Sequence, residues 1–407
     1  MPSEKTQRLP ILRIGLVADD LTGAADSIAA VVKSGGKAAV VIGADTHFYV
    51  ESELDGIAIS TETRDLNDAD PAEIVRRVEE AFHKLHRDFQ PSLFYKKIDS
   101  TLRGSTAIEI DASCGCFEDR TALICPAFPE QYRTVVNNTL YVAGTDSGSV
   151  SARITRSNRD ANVASLSISV VRAGADAIQE KLIQMQSRGA RKVSFDAESA
   201  QDLAAVATVV LRSPDRWLPV GSAGFIRAIC GLVAKPSAQQ SYKGGRAGVL
   251  TQPGQVVVLV GTGHEVSRRQ LETLLQRSGL ESDHTMSGAF DKLTVGSRLA
   301  IASTPADSFD AGDPLCMLMV GAELVAKHLP PPRVVVTGGA TAAAFLSAVP
   351  GFSHIEIEGE IEPGIVFARV MTLSGTSGIQ LVLKSGGFGD VESLLRCALQ
   401  LDEFSNG

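Results

Sequence analysis

Aromatic residues are scarce: they make up 5% of the 407 positions, with a single Trp. That argues against the stacking array that single-stranded nucleic acid needs. Positive charge is in deficit as well. Lys and Arg number 39 against 47 Asp and Glu, a net charge of −8, which disfavours a broad nucleic-acid surface and leaves room for a local basic pocket. No apolar run reaches the ~18 residues of a membrane span. Lys5 and Arg8 precede a strand-like run, not a secretory segment. The six cysteines are scattered apart from Cys114 and Cys116. A Cys-x-Cys pair without a matching His/Cys cluster is weak evidence for metal, so reduced thiols in a cytoplasmic protein are the expectation. There is no GxxxxGK[ST] motif and so no P-loop, and no internal repeat, heptad or long low-complexity tract.

What is present is the material of an α/β protein. Apolar residues reach 44%, and the 37 glycines concentrate in short loops after apolar runs. The chain is too long for one ordinary core. The pattern predicts two domains, each a largely parallel sheet flanked by helices, with the active site in the cleft between them. The clearest linker is the Pro/Gly/Ser/Gln-rich stretch KPSAQQSYKGGRAGVLTQPG. The expected units are therefore residues 1–235, a linker at 236–254 and residues 255–407.

In the first unit, the apolar run from Ile11 to Val17 ends abruptly in Asp19 and Asp20. Thr22 and Gly23 then open an Ala-rich helix to about Lys33. Ligands of open α/β sheets bind outside the carboxyl ends of the strands, which makes two acids there candidates for use. A second run, Leu93 to Tyr95, leads into Lys96, Lys97, Asp99, Ser100, Thr101 and Arg103, with a helix expected from Ser100 to about Cys114. A third, Gly56 to Ser60, leads to Arg64. Arg64, Lys97 and Arg103 are candidate clamps for a substrate carboxylate. Asp99, Ser100 and Thr101 are candidates for its hydroxyls. The bland alternative for all of these is a set of salt bridges. Of Asp19 and Asp20, one is expected to cap the helix and complement its dipole. The other is the candidate general base, and sequence leaves open which does which. Asp26, on the helix, reads as structural. The polar stretch from Thr145 to Asp160 reads as a loop.

The second unit carries three glycine-bearing turns after strands: GTGHEVS from Gly261, TGGAT from Thr337 and KSGGFGD from Lys384. Glycines let backbone N–H groups approach phosphate oxygens, and a helix N-terminus adds favourable partial charge. One such turn is weak evidence; three at one sheet edge favour a nucleotide. GTGHEVS lacks the third glycine of a dinucleotide fingerprint, so an NAD-dependent dehydrogenase is the weaker enzyme reading.

ADDLTGAAD (18–26), KKIDSTLRGS (96–105), PAFPEQYRT (126–134), VGSAG (220–224), GEIEPG (359–364) and LKSGGFGD (383–390) together resemble the four-carbon acid-sugar kinases, the D-threonate, D-erythronate and 3-oxo-tetronate kinases. The resemblance covers nearly the whole chain. It implies a first domain that binds a sugar acid, a second that binds ATP, and transfer to the terminal hydroxyl of a tetronate. Mg2+ would bridge the phosphates, as phosphoryl transfer generally requires. The resemblance places nucleotide contacts at Thr262, His264, Gly338, Gly339, Ala340, Thr341, Gly386 and Gly387. Tyr132 stands where the family usually has Gly, Ala340 where it has Glu, and GTGH where it has a Gly-Ser-Cys-Ser-like turn. These departures keep a second class of reading in view: a sugar-acid-binding regulator without turnover. Neither nucleic acid nor membrane is an expected partner, and a homodimer is the default for a soluble enzyme.

Overall fold

The computed structural model describes residues 12–46, 53–66, 69–155, 163–234, 255–305, 314–328 and 331–399. The expected linker at 236–254 and the end of the polar stretch, from residue 156, lie outside the described residues. The first half contributes strands β1 (Ile14–Ala18), β2 (Ala38–Ile42), β3 (Gly56–Ser60), β4 (Leu93–Lys97), β5 (Thr121–Cys125), β6 (Arg133–Val136), β7 (Thr139–Val142), β8 (Thr145–Ser149), β9 (Val163–Leu166), β10 (Lys192–Phe195) and β11 (Trp217–Gly221). The second contributes β12 (Val256–Val260), β13 (Leu299–Ser303), β14 (Arg333–Thr337), β15 (Phe352–Glu362), β16 (Ile365–Thr372) and β17 (Gly375–Lys384).

The expected alternation of strands and helices is present in both halves, and the sheets are joined. Fourteen strands form one sheet in the order β13-β12-β14-β17-β16-β15-β2-β3-β1-β4-β11-β5-β10-β9. From β2 to β9 every pairing is parallel, as are those among β13, β12, β14 and β17. The strands IGLVA and VVVLV are buried along their whole length, as parallel strands covered on both faces require. The two parallel runs meet through an antiparallel meander, β17-β16-β15, whose last strand pairs antiparallel with β2 at Ile355/Val40, Glu356/Ala39 and Ile357/Ala38.

Three antiparallel steps leave the parallel runs pointing in opposite directions, so a flat sheet would put their carboxyl ends on opposite edges. The meander prevents this. Its strands are long, 11, 8 and 10 residues, and its ladders carry register shifts, three between β15 and β16 alone. Bulges bend a strand and raise its right-handed twist. The second parallel run is thereby turned until its carboxyl ends face those of the first. Helix Leu21–Lys33 lies at this seam. It touches β2 and β3 on one side, and β15 and helix Gly339–Ala348 on the other. Its sequence, LTGAADSIAAVVK, is buried on nearly every side, and its alanines let elements approach from several directions at close packing.

Some elements differ from the sequence pattern. The helix expected from Ser100 starts at Thr106, because the Asp99 carboxylate accepts the N–H groups of Thr101 and Arg103 and holds residues 99–103 in a turn. The expected loop from Thr145 begins instead with β8, third strand of a small sheet with β6 and β7, and helix Val150–Arg153. The expected helix from Pro314 to Lys327 is two short ones, Pro314–Leu318 and Leu324–Lys327, with Gly321 between them at φ 87°. Among the described residues no helix is long and apolar enough to cross a membrane.

Tyr132, at the position where Gly was expected, keeps the left-handed conformation with φ 59° and is 76% exposed. For an L-residue that region costs about 1–2 kcal/mol, whereas glycine's greater unfolded freedom costs about 0.5–1 kcal/mol. The strain outweighs the entropy, and the side chain buries little. Tyr132→Gly is therefore expected to stabilise the fold by up to about 1 kcal/mol, seen as a higher midpoint in thermal unfolding; a lower midpoint would show that the ring makes a contribution beyond backbone conformation.

Candidate active site

β3, β1 and β4 are adjacent and parallel, so the residues that follow them converge at one sheet edge. Arg64, after β3, forms a two-pronged pair with Asp19, Nε to Oδ2 at 2.7 Å and Nη2 to Oδ1 at 2.8 Å. Its Nη2 is also 2.8 Å from Asp20 Oδ1. Asp20 is the residue that caps helix Leu21–Lys33: Oδ1 accepts from Gly23 N at 3.0 Å and Oδ2 from the Thr22 hydroxyl at 2.7 Å. After β4, Asp99 accepts from Arg103 Nη2 at 2.8 Å. The ammonium of Lys97, 5% exposed, has no hydrogen-bond or ion-pair partner among the described residues. Of the three candidate clamps, two are thus paired with carboxylates and one is free.

Behind this layer lies a buried one whose role the sequence left unread. Lys96 Nζ is 2.5 Å from Glu109 Oε2, and Thr63 donates to Glu109 Oε1 at 2.6 Å. The available signal was a charged residue between Ile108 and Ile110 in a helix that buries both. Asp26, read as structural, joins a buried ion cluster across the seam. Arg227 Nη2 donates to Asp26 Oδ1 at 2.7 Å and pairs with Glu360 of β15. Asp26 also lines the cavity described below.

The electrostatics follow from burial and pairing. Burial opposes charge on Asp19, but Arg64 and then Lys97 outweigh it and hold its carboxyl below the ordinary value. The same balance, with burial opposed by Arg103 and Arg64, holds Asp99 well below it. Glu62 goes the other way. It lies at φ 49° beside the cluster, and burial, with Asp20 and Asp19 adding repulsion, pushes its carboxyl up to about 7 against the Ser60 hydrogen bond.

In the second half β12, β14 and β17 are adjacent, which brings the three glycine turns together. The Ser267 hydroxyl donates to Gly386 O at 2.6 Å and ties helix Glu265–Ser278 to the last turn. His264 caps that helix, its Nδ1 accepting from Val266 N at 3.3 Å. Burial, then Arg103 and Lys384, lower the imidazole's pKa. A Cβ on Gly387 would lie 2.9 Å from His264 Nε2, so a larger residue there would have to displace the imidazole. Gly338 has φ 100°, and Gly339 opens helix Gly339–Ala348. A Cβ on Gly339 would lie 2.7 Å from Asp20 Oδ2. A carboxylate of the first half therefore abuts a helix N-terminus of the second, where partial positive charge collects.

The two halves enclose one cavity of about 780 Å3, and every candidate residue of either half lines it, from Asp19, Asp20 and Lys97 to Gly339 and Gly386. Three bare glycine turns and a helix N-terminus at one end make a cradle suited to phosphate oxygens. At the other end, the free ammonium of Lys97 suits a carboxylate and the acids suit hydroxyl donors. Cavity walls that were not among the candidate site residues include Glu62, Phe128, Arg133 and Phe388, the last three lying within motifs that carry the family resemblance. Among the described residues no three His, Cys, Asp or Glu side chains gather as a metal cage.

Comparison with known proteins places the chain in a family. Family models described as a sugar-binding N-terminal domain and a nucleotide-binding C-terminal domain match residues 14–229 and 316–394. A D-threonate kinase of Cupriavidus necator is 30% identical over 93% of this chain and 95% of its own. A D-threonate kinase of Bordetella bronchiseptica is 29% identical over 96% and 98%. A crystal structure of a Salmonella typhimurium LT2 protein superposes with a TM-score of 0.73 at 21% identity, over 95% of this chain and 98% of that one, a likeness of fold.

Glu62 yields a test of the cavity's electrostatics. Its folded pKa of about 7 lies above the ordinary 4.5, so the folded state holds the proton more tightly. The stability linked to this group is fully present below pH 4.5 and is lost as pH rises through 7. Glu62→Gln, which cannot ionise, is expected to match the wild type near pH 4 and to exceed it by up to about 3 kcal/mol above pH 7. Urea unfolding across that range measures the difference, and a pH-independent gap would refute the assignment.

Proposed function

Because the chain belongs to the four-carbon acid-sugar kinase family, we propose that it transfers the terminal phosphoryl group of ATP to the end hydroxyl of a four-carbon sugar acid, with D-threonate the first to test. The observation that carries this reading is the shared cavity, in which Asp20 meets the N-terminus of helix Gly339–Ala348. An acceptor hydroxyl beside Asp20 would there face phosphates held at the glycine turns. In this reading residues 1–235 bind the acid, residues 255–407 bind the nucleotide and 236–254 join them. The six free cysteines support a cytoplasmic setting.

Each side chain then has a task. Lys97, the free cation of the acid end, holds the substrate carboxylate. Ser100 and Thr101 hydrogen-bond its hydroxyls. Asp20 combines the two roles expected of separate residues: it caps the helix and, kept in place by Thr22, Gly23 and Arg64, accepts the proton of the attacking hydroxyl, while both oxygens of Asp19 are held by Arg64. Asp19 and Asp99 orient Arg64 and Arg103. The backbone amides of residues 338–341 and 386–387 face the phosphates. Positioning and charge neutralisation dominate this kind of transfer, so the base has only to be held within reach of the hydroxyl. Mg2+ supplies charge neutralisation at the phosphates when it arrives with the nucleotide. The described residues form no cage for it, and no step is assigned to it. Departure from the family at Ala340 leaves the two cradle glycines before it, Gly338 and Gly339, in place.

A coupled ADP-release assay with Mg-ATP and a panel of four- and five-carbon sugar acids tests the reading. One tetronate is expected to turn over, and Asp20→Asn to lower kcat by about 10²–10⁴-fold. Lys97→Met is expected to raise the KM of the acid at least about tenfold, as loss of a charge-assisted contact does, with a smaller change in kcat. ATP binding by calorimetry without turnover of any acid in the panel would sink the four-carbon reading.

A further inference from the structure

A cleft that joins a sugar acid to a polyphosphate must accept two anions. Arg64, Lys97, Arg103 and Arg133 are the Lys and Arg side chains among its lining residues. Arg64 is held by Asp19 and Asp20, and Arg103 by Asp99. Lys97 is assigned above to the carboxylate. Arg133 is left. Among the described residues it forms no ion pair, and its only hydrogen bond from the side chain is from Nη1 to the Gln131 carbonyl. Its Nε is buried with no partner. A buried N–H donor left unpaired costs about 1–3 kcal/mol, so such a group asks for an explanation.

The Nε is enclosed and does not face the cavity; the terminal Nη groups, of which only Nη1 has a hydrogen bond among the described residues, are the donors a ligand there would meet. Arg133 opens β6 directly after the left-handed turn at Tyr132. Its backbone is pinned on both sides of the chain: Phe128 N donates to Arg133 O at 2.8 Å, Arg133 N donates to Phe128 O at 3.1 Å, and β6 pairs Arg133 with Val142 of β7. From this fixed base, in the first half, the guanidinium lies over Phe388, 5.3 Å from the ring centroid. Phe388 belongs to the KSGGFGD turn of the second half, next to Gly386 and Gly387. The charge thus crosses the cleft to the phosphate cradle, while its fork keeps free donors. It also lies close enough to His264 to depress that imidazole.

We propose that Arg133 is a catalytic residue that binds the terminal phosphate of the nucleotide, reaching it from the sugar-acid half. The proposal rests on the kinase reading above. A bond forms between the acceptor oxygen and the terminal phosphorus, and the bond from that phosphorus to the bridging oxygen breaks, releasing ADP. The hydroxyl proton goes to Asp20. Arg133 takes no proton; it offsets the charge on the moving group, the part a planar, always-charged fork performs best. Because it comes from the half opposite the cradle, it meets the end of the nucleotide that faces the acid and not the part that remains in ADP.

Calorimetry on the full-length wild type, Arg133→Ala and Arg133→Lys, with ATP and with ADP separately, tests this. Arg133→Ala is expected to weaken ATP at least about tenfold and ADP by less than about threefold, with Arg133→Lys in between. In the coupled assay, kcat is expected to fall about 10²–10³-fold with the KM of the acid nearly unchanged, and methylguanidinium to restore part of the Arg133→Ala rate. A residue that only packed against Phe388 would affect ATP and ADP alike. Equal weakening of both, or of neither, overturns the proposal. If the wild type binds ATP but turns over no tetronate, the kinase reading fails on its own, and the ATP-to-ADP ratio still decides whether Arg133 meets the terminal phosphate.

Discussion

Everything at the cleft depends on the twist of the β15–β16–β17 meander. Its three antiparallel steps invert the second parallel run relative to the first. The glycine turns after β12, β14 and β17 nevertheless face Asp19, Asp20 and Lys97 across one cavity. Parallel sheets collect their binding loops at one edge only, because every strand ends there. Two such sheets can build one site only if something rotates them face to face. The chain does this with an irregular antiparallel segment, the element best able to store strong local twist. The Ala-rich helix Leu21–Lys33 then fills the angle between the two runs, and the Asp26–Arg227–Glu360 cluster locks it with charge.

Charge at the site divides into groups that hold one another and groups that remain free. Arg64 and Arg103 each spend their forks on carboxylates, which makes a rigid rim. Their pairs also explain how Asp19 and Asp99 stay ionised despite burial, since the arginines outweigh desolvation. Lys97 and Arg133 stand apart as cations that form no ion pair or hydrogen bond with a carboxylate among the described residues. They lie on different sides of the rim, Lys97 beside the helix cap and Arg133 over Phe388. A site built this way offers two separate points of anion attachment, and its paired residues keep those points apart.

Much of this was legible before any coordinates. The buried strands, the carboxylates after Ile14–Ala18, the basic cluster after β4 and the three glycine turns are local patterns, and local patterns follow from φ/ψ preferences, burial and capping chemistry over a few residues. Their placement on one sheet edge follows from a general rule about parallel strands. The same local logic also misled: a helix was expected from Ser100, yet a side chain that competes for backbone N–H groups, with Leu102 and Gly104 at positive φ, delays it to Thr106.

Tertiary structure alone decided the rest. Which of two adjacent aspartates caps the helix depended on the direction of each side chain at the strand end, and Asp20 took the cap while Asp19 met Arg64. Which cations remained free depended on partners 45 positions away in sequence for Arg64 and on an aromatic ring in the other half for Arg133. The buried Lys96–Glu109 pair and the Asp26–Arg227–Glu360 cluster join residues on different elements. Sequence by itself determined the parts and the edge on which each would sit, because backbone periodicity and turn chemistry act at short range. The pairing of charges, and the meeting of two sheets at one cavity, are long-range contacts, and these come into being only when the meander has turned one half onto the other.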